Sequence, residues 1–282
     1  MAVFYNQASL TYSGGRVNSN VASGEIVESL SATKTAVSEE YTLGTEVTYA
    51  LNIINSGLST YDELTVTDDL GAYVFGELTL TPLDLVENSV KYFVDGVLQS
   101  TPTVTQTSPL VIDGITVPAN GTATLLYSVR VNEYANPTET GTIVNTATVS
   151  GSTTEISASA TINAAAGSGL EILKTVSPSS VAENEPLTYT FLISNSGNTA
   201  VTALDNAVLD DTFDPVLDDI TVTYNGARAT TPDAYSYDES TGVFSTTPGW
   251  ITVPAATFVQ DAATGVWTVT PGTATLTVTG TV

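Results

Sequence analysis

Short runs in which every second residue is apolar recur along the whole chain. Leu30, Ala32, Lys34 and Ala36 fall on one parity and Ser31, Thr33 and Thr35 on the other; Val47, Tyr49, Leu51 and Ile53 alternate with Thr48, Ala50 and Asn52. A period of two sends successive side chains to opposite faces of an extended strand, so each run predicts a half-buried strand. Gly, Asn, Asp, Ser and Pro cluster between the runs, where the chain has to turn. The pattern predicts an all-β protein.

The runs also repeat. LSATKTAV (30–37), TEVTYALNIINSG (45–57), LTVTDDLG (64–71) and NGTATLLYSVRV (120–131) return in the same order as LEILKTVS (170–177), EPLTYTFLISNSG (185–197), NAVLDDTF (206–213) and PGTATLTVTGTV (271–282). Lys34 and Lys174 are 140 residues apart, and Asp68 and Asp210 are 142 apart. A repeat of this length, built of short alternating strands, predicts two tandem immunoglobulin-like β-sandwich domains, residues 29–163 and 164–282.

The first repeat runs on into IVNTATVSGSTTEISASATIN (143–163), which reads as a closing hairpin. The second has no counterpart after Val282, the equivalent of Val131, and is expected to lack its closing strands. A similar segment stands instead at the other end of the sequence, where residues 1–28 carry the same Asn-x-Ala-x-aliphatic pattern around a Gly-Gly turn. On alternation, Phe4, Ala8, Leu10 and Tyr12 share one face of this N-terminal donor strand. At about 25 cal/mol per Å² their burial is worth roughly 6–10 kcal/mol before ordering costs. The short connection at residue 29 places the hairpin at the upstream pole of the first domain, so donation to the second domain of another copy is expected, giving an open filament. The other reading is an ordinary strand of the first domain, or a piece of a longer array.

Parity also aims charged groups inward. Lys34 and Lys174 lie on the apolar faces of equivalent strands, Asp68 follows Val66, Asp210 follows Val208, and Asn145 and Asn6 lie among alternating apolar residues. A buried ammonium tends to lose its proton and a buried carboxyl to gain one. A neutral amine beside an acid-polarised carboxamide can undergo one acyl transfer, releasing ammonia and leaving a Lys-Asn isopeptide bond. The same residue types also fit a Lys-Asp ion pair hydrogen-bonded to Asn, with no chemistry.

The lysine on the first strand, the TY-x-L-x-I-x-NSG strand, the V-T-D-D-L segment and the NTATV strand together resemble the repeat family catalogued as domain of unknown function eleven. The resemblance covers nearly the whole chain. It implies tandem immunoglobulin-like modules of bacterial and archaeal surface proteins, akin to isopeptide-linked pilin and adhesin domains. It favours a Lys34–Asn145 bond promoted by Asp68. The second half departs from the pattern by lacking its own Asn, so its bond would join Lys174 to Asn6 of another subunit, promoted by Asp210.

Composition narrows the function classes. A net charge of −24 argues against nucleic acid and anionic membranes as partners. Without Cys or His the chain has no disulfides, no Ser-His-Asp triad and none of the usual zinc sites, and no cofactor is expected. Acid pairs such as Asp68 with Asp69 and Asp218 with Asp219 suit either Ca²⁺ or, as favoured here, solvated loops, so no metal is assigned. NGT (120–122) reads as a turn, and Trp250, Trp267, Tyr235 and Tyr237 as packing residues. MAVFYNQASL lacks the features of a secretory signal. The expectation is a non-enzymatic, self-associating subunit of an extracellular pilus-like fibre or spore appendage, on a bacterial cell or spore surface, with an anchor or tip protein as a further partner. The alternative is a stalk or adhesin fragment acting as a binding module.

Overall fold

The computed structural model describes residues 2–26, 29–151 and 154–282. The chain is all-β: an N-terminal hairpin followed by two immunoglobulin-like sandwiches. The longest alternating runs become the central strands, because their apolar parity can be buried entire. Val47, Tyr49, Leu51 and Ile53 of Glu46–Asn55 face inward beside Ala123, Leu125, Tyr127 and Val129 of Thr122–Val131. The two strands pair antiparallel, Tyr49 opposite Tyr127 and Leu51 opposite Leu125.

In the first sandwich, one sheet carries Leu30–Ala36 beside Glu46–Asn55, then Thr122–Val131 and Lys91–Val94. The facing sheet runs Thr103–Thr107, Leu110–Val117, Tyr61–Asp68, Thr142–Ser150, Glu155–Ala164 and Glu40–Tyr41. The strand Tyr61–Asp68 is therefore interior, with Leu110 opposite Asp68 on one side and Ala147 on the other. The core between the sheets is continuous from Leu30 to Ile162.

The second sandwich repeats the first sheet faithfully. Leu170–Ser177 pairs with Pro186–Asn195, and Leu170 opposite Asn195 reproduces Leu30 opposite Asn55. Its facing sheet is much smaller. Only Asp210–Thr212, Val243–Thr246 and Tyr235–Asp238 are present, and among the described residues the outer edge of Asp210–Thr212 has no strand partner. That is the side on which the first sandwich places Thr142–Ser150. Leu170–Ser177 is consequently exposed along its whole length, with Ile172 at 58% and Val176 at 42%.

Residues 2–26 fold as one two-armed hairpin. Ala2–Asn6 pairs with Ala22–Ile26 and Ser9–Tyr12 with Gly15–Asn18. The register changes from Asn6 opposite Ala22 to Ser9 opposite Asn18, so the return arm carries one extra residue, a β-bulge. Gly15 closes the tip at φ 142°. Phe4, Leu10, Tyr12 and Val17 are all more than half exposed.

The second sandwich carries an extra hairpin, Thr257–Gln260 with Trp267–Thr270, between Val253 and Gly272. It lies against the first sandwich: Trp267 N–H donates to the Glu133 carbonyl (3.1 Å) and Gln260 Nε2 to Tyr73 Oη (2.8 Å). Asn198 Nδ2 adds a bond to the Pro137 carbonyl at 3.0 Å. No helix among the described residues is long and apolar enough to cross a membrane.

Candidate functional site

Three strands of the first sandwich bring Lys34, Asp68 and Asn145 into one core. Lys34 sits in register with Leu51 on the first sheet; Asp68 ends its strand on the facing sheet; Asn145 lies two residues before Ala147, the partner of Asp68. The Lys34 and Asp68 side chains are both 0% exposed, and Asn145 is fully buried. Lys34 Nζ donates to Asp68 Oδ2 at 2.6 Å, and Tyr127 Oη donates to the same oxygen. The Leu70 N–H holds the other oxygen, Oδ1, at 2.9 Å. The ring centre of Tyr49 is 4.8 Å from Lys34 Nζ, and Tyr49 and Tyr127 pack with centroids 6.0 Å apart.

Burial dominates the electrostatics. It lowers the Lys34 ammonium below its ordinary range, against the opposing pull of Asp68 and then Asp69. Burial likewise raises the Tyr127 phenol well above its usual value, with Asp68 adding to the effect. Tyr127 is therefore a proton donor to the carboxylate. The carboxamide of Asn145 meets no group in good hydrogen-bond geometry; the Tyr49 hydroxyl, itself otherwise unpaired, is the polar group it approaches. An unpaired buried polar group costs about 1–3 kcal/mol. A simple ion pair accounts for Lys34 and Asp68 and leaves Asn145 unexplained. An amine with lowered basicity, a fixed carboxylate and a carboxamide in one dry core are the components of a single acyl transfer.

The second sandwich departs from expectation in two respects. Lys174 does not lie in the core, since its side chain is 40% exposed, because among the described residues no strand covers that end of the sheet. Its partner is not Asp210. Lys174 Nζ bonds Asp211 Oδ2, while Asp210 points outward and accepts from Ser245 Oγ at 2.6 Å. The parity has moved by one residue: Leu209 and Phe213 are buried, so Asp211 between them faces in, and Val208 is 43% exposed. Leu209, Asp211 and Phe213 thus stand where Val66, Asp68 and Leu70 stand in the first sandwich. Aromatic rings surround the ammonium, with Tyr189 at 4.6 Å and Phe191 and Phe213 at 5.4 Å. The counterpart of Tyr127, opposite Tyr189, is Val278.

The first arm of the N-terminal hairpin matches the closing hairpin of the first sandwich pair by pair, up to the bulge after Asn6 and Ala22. Asn6 lies opposite Ala22 as Asn145 lies opposite Ala160, and Phe4 opposite Gly24 as Ile143 opposite Ile162. The Phe4 ring covers Gly24 so closely that a Cβ there would fall 2.5 Å from Cζ. Ile143 and Ile162 are buried; Phe4 is 53% exposed.

Tyr127, Asp211 and the paired Asn55 and Asn195 escape a reading by alternation alone. The two asparagines are buried and tie their N-S-G turns, each donating to carbonyls and accepting from a glycine N–H. Their signal was the NSG repeated at equivalent places. Asn120 sits at φ 53° in a tight turn, and Tyr235 and Trp250 pack against Phe244 and Tyr224. Among the described residues no three acidic side chains converge as a metal set would. A cleft of about 460 Å³ at the domain junction is lined by Tyr41, Leu43, Phe258 and Trp267 and includes no member of either lysine cluster.

No protein-family model matches the sequence, and neither does any curated protein. Solved structures that overlap it include the pilus backbone RrgB of Streptococcus pneumoniae, at 13% identity and a TM-score of 0.36 over 86% of this chain and 55% of that one. The major pilin subunit BcpA of Bacillus cereus overlaps at 13% and 0.37, over 96% and 73% of the two chains. The collagen-binding domain of a Staphylococcus aureus adhesin overlaps at 16% and 0.32, over 49% and 99%. At these scores the overlap assigns this chain no activity, partner or assembly.

Proposed function

We propose that the chain is a structural subunit of an extracellular, pilus-like fibre on a bacterial cell or spore surface. Each copy donates residues 2–26 to the second sandwich of another copy, and Lys-Asn isopeptide bonds lock the product: Lys34 to Asn145 within a subunit and Lys174 to Asn6 between subunits. The observation that carries this reading is a complementarity within one chain. An exposed apolar face around Lys174 and, among the described residues, an unpaired edge at Asp210–Thr212 lie in the second sandwich. Before the first sandwich stands an exposed hairpin whose first arm has the cross-strand pairing of the hairpin that fills the same place there. Exposed apolar faces and unpaired sheet edges both drive association. Donation in this manner is heterologous and does not close, so it propagates.

The bond explains the buried groups economically. Attack of the lysine nitrogen on the asparagine Cγ forms one C–N bond, breaks the C–NH₂ bond and releases ammonia, while the aspartate relays the proton from amine to leaving group. A buried amine and an unpaired carboxamide become one neutral amide, with one ammonia released. The test is a denaturing gel of the boiled chain. A ladder of multimers is expected, reduced to monomers in Lys174→Ala and in Asn6→Ala. Monomers alone from the unaltered chain, with no filaments by electron microscopy, would refute the fibre.

A further inference from the structure

The two lysine clusters are the same site in two states of completion. In the first sandwich the Lys34–Asp68 pair is sealed at 0% exposure under Thr142–Ser150, with Ile143 and Ile162 buried beside Asn145. In the second, the corresponding pair has a full apolar floor of Tyr189, Phe191 and Phe213 but no roof, and Lys174 is 40% open to water. Nothing within the domain compensates. Val278 replaces the tyrosine that grips Asp68, so among the described residues Asp211 is held only by Lys174 and by the N–H of its neighbour Thr212 at 2.9 Å. An ammonium in water beside a carboxylate is a solvated ion pair and a poor nucleophile.

We propose that the incoming hairpin is the missing wall of this site as well as its substrate, and that Phe4 is the positioning residue that seals it. This rests on the strand-donation reading above. Phe4 precedes Asn6 by two residues, as Ile143 precedes Asn145, and its ring over Gly24 fills with one side chain the cross-strand position that the buried pair Ile143 and Ile162 fills with two. Docking expels water from Lys174 and Asp211 and delivers the Asn6 carboxamide in the same event. Lys174 then attacks Asn6 Cγ, the C–NH₂ bond breaks, and Asp211 passes the proton from the amine to the departing ammonia. The free subunit is thereby kept from spending its reactive lysine on any other amide it meets, since the site exists only when the correct donor is seated.

The experiment mixes two full-length variants. Asn6→Ala accepts a bond and cannot supply one; Lys174→Met supplies one and cannot accept it. Covalent pairs then report a single reaction, timed on denaturing gels at concentrations where sedimentation shows docking to be saturated. With Phe4→Ala added to the Lys174→Met chain, bonding should slow at least about tenfold, because the open wall readmits water and loosens the placement of the carboxamide against the attacking nitrogen. Phe4→Ile combined with Gly24→Ile, the cross-strand pair of the first sandwich, should restore the rate. Independently, acetylation of Lys174 read by peptide mass spectrometry should be fast in the free subunit, suppressed in docked Asn6→Ala assemblies, and restored in docked assemblies of chains carrying both Asn6→Ala and Phe4→Ala. Equal bonding rates for Phe4 and Phe4→Ala donors, or a Lys174 that remains freely acetylated when docked, would overturn the sealing role while leaving donation intact. Absence of docking by any donor would instead remove the donation reading, and this inference with it.

Discussion

Asp68 is the residue on which the first sandwich turns. One carboxylate oxygen takes both the Lys34 ammonium and the Tyr127 hydroxyl, and the other takes the Leu70 N–H. Such a carboxylate has all its strong donors supplied by fixed groups, so it is held in place for proton relay. Asp68→Ala should therefore do two separable things. It should abolish the loss of one ammonia from the intact mass, and it should leave Lys34 buried without its partner, lowering stability by about 3–5 kcal/mol as removal of one member of a buried pair does. Tyr127→Phe keeps the ring and removes one hydrogen bond to a charged group, worth about 1.5–3 kcal/mol. That variant should still form the bond, at a lower rate. Intact mass and urea denaturation of the two variants check both outcomes.

At the scale of elements, the donation proposed above gives the hairpin of residues 2–26 one expected register in its acceptor. In the first sandwich Ala147 lies opposite Asp68, Thr148 opposite Thr67 and Val149 opposite Val66. Carried over, Ala8 lies opposite Asp211, Ser9 opposite Asp210 and Leu10 opposite Leu209. Ser9 and Asp210 both face outward in that register, and directly opposed Cβ atoms come within about 4.5–5.5 Å. The chain has no native cysteine, so Ser9→Cys with Asp210→Cys should give subunit-to-subunit disulfides in oxidised fibres. Ser9→Cys paired with Leu209→Cys, which sends the second thiol to the other face, should not. The all-β fold was legible in the alternation, since period two survives wherever both sheet faces have a fixed inside and outside. The partner of Lys174 was not. Asp210 and Asp211 are adjacent, a strand of three residues is too short to fix parity, and the choice falls to the buried neighbours Leu209 and Phe213. Tyr127 was hidden for another reason: a tyrosine among apolar residues on a central strand reads as core until the carboxylate beneath its hydroxyl is seen.

For the molecule as a whole, the two repeats also differ between Val253 and Gly272, where the first repeat has only the turn at 118–121. The extra hairpin there grips the first sandwich through Trp267 and Gln260. In a fibre assembled as proposed, every joint between sandwiches has the same strand arrangement, but only the joint inside a subunit carries this hairpin. The joint between subunits presents the short turn, with Leu58 88% exposed in place of the bonding Asn198. Such a fibre is a chain of rods whose bending is confined to alternate knuckles, one per subunit. Electron micrographs should show kinks spaced by a full subunit, never by a single sandwich. Replacing residues 255–271 with the short turn of the first repeat should halve that spacing. Covalent locking makes such a fibre hard to break, and the absent hairpin at every second joint leaves it able to flex under load.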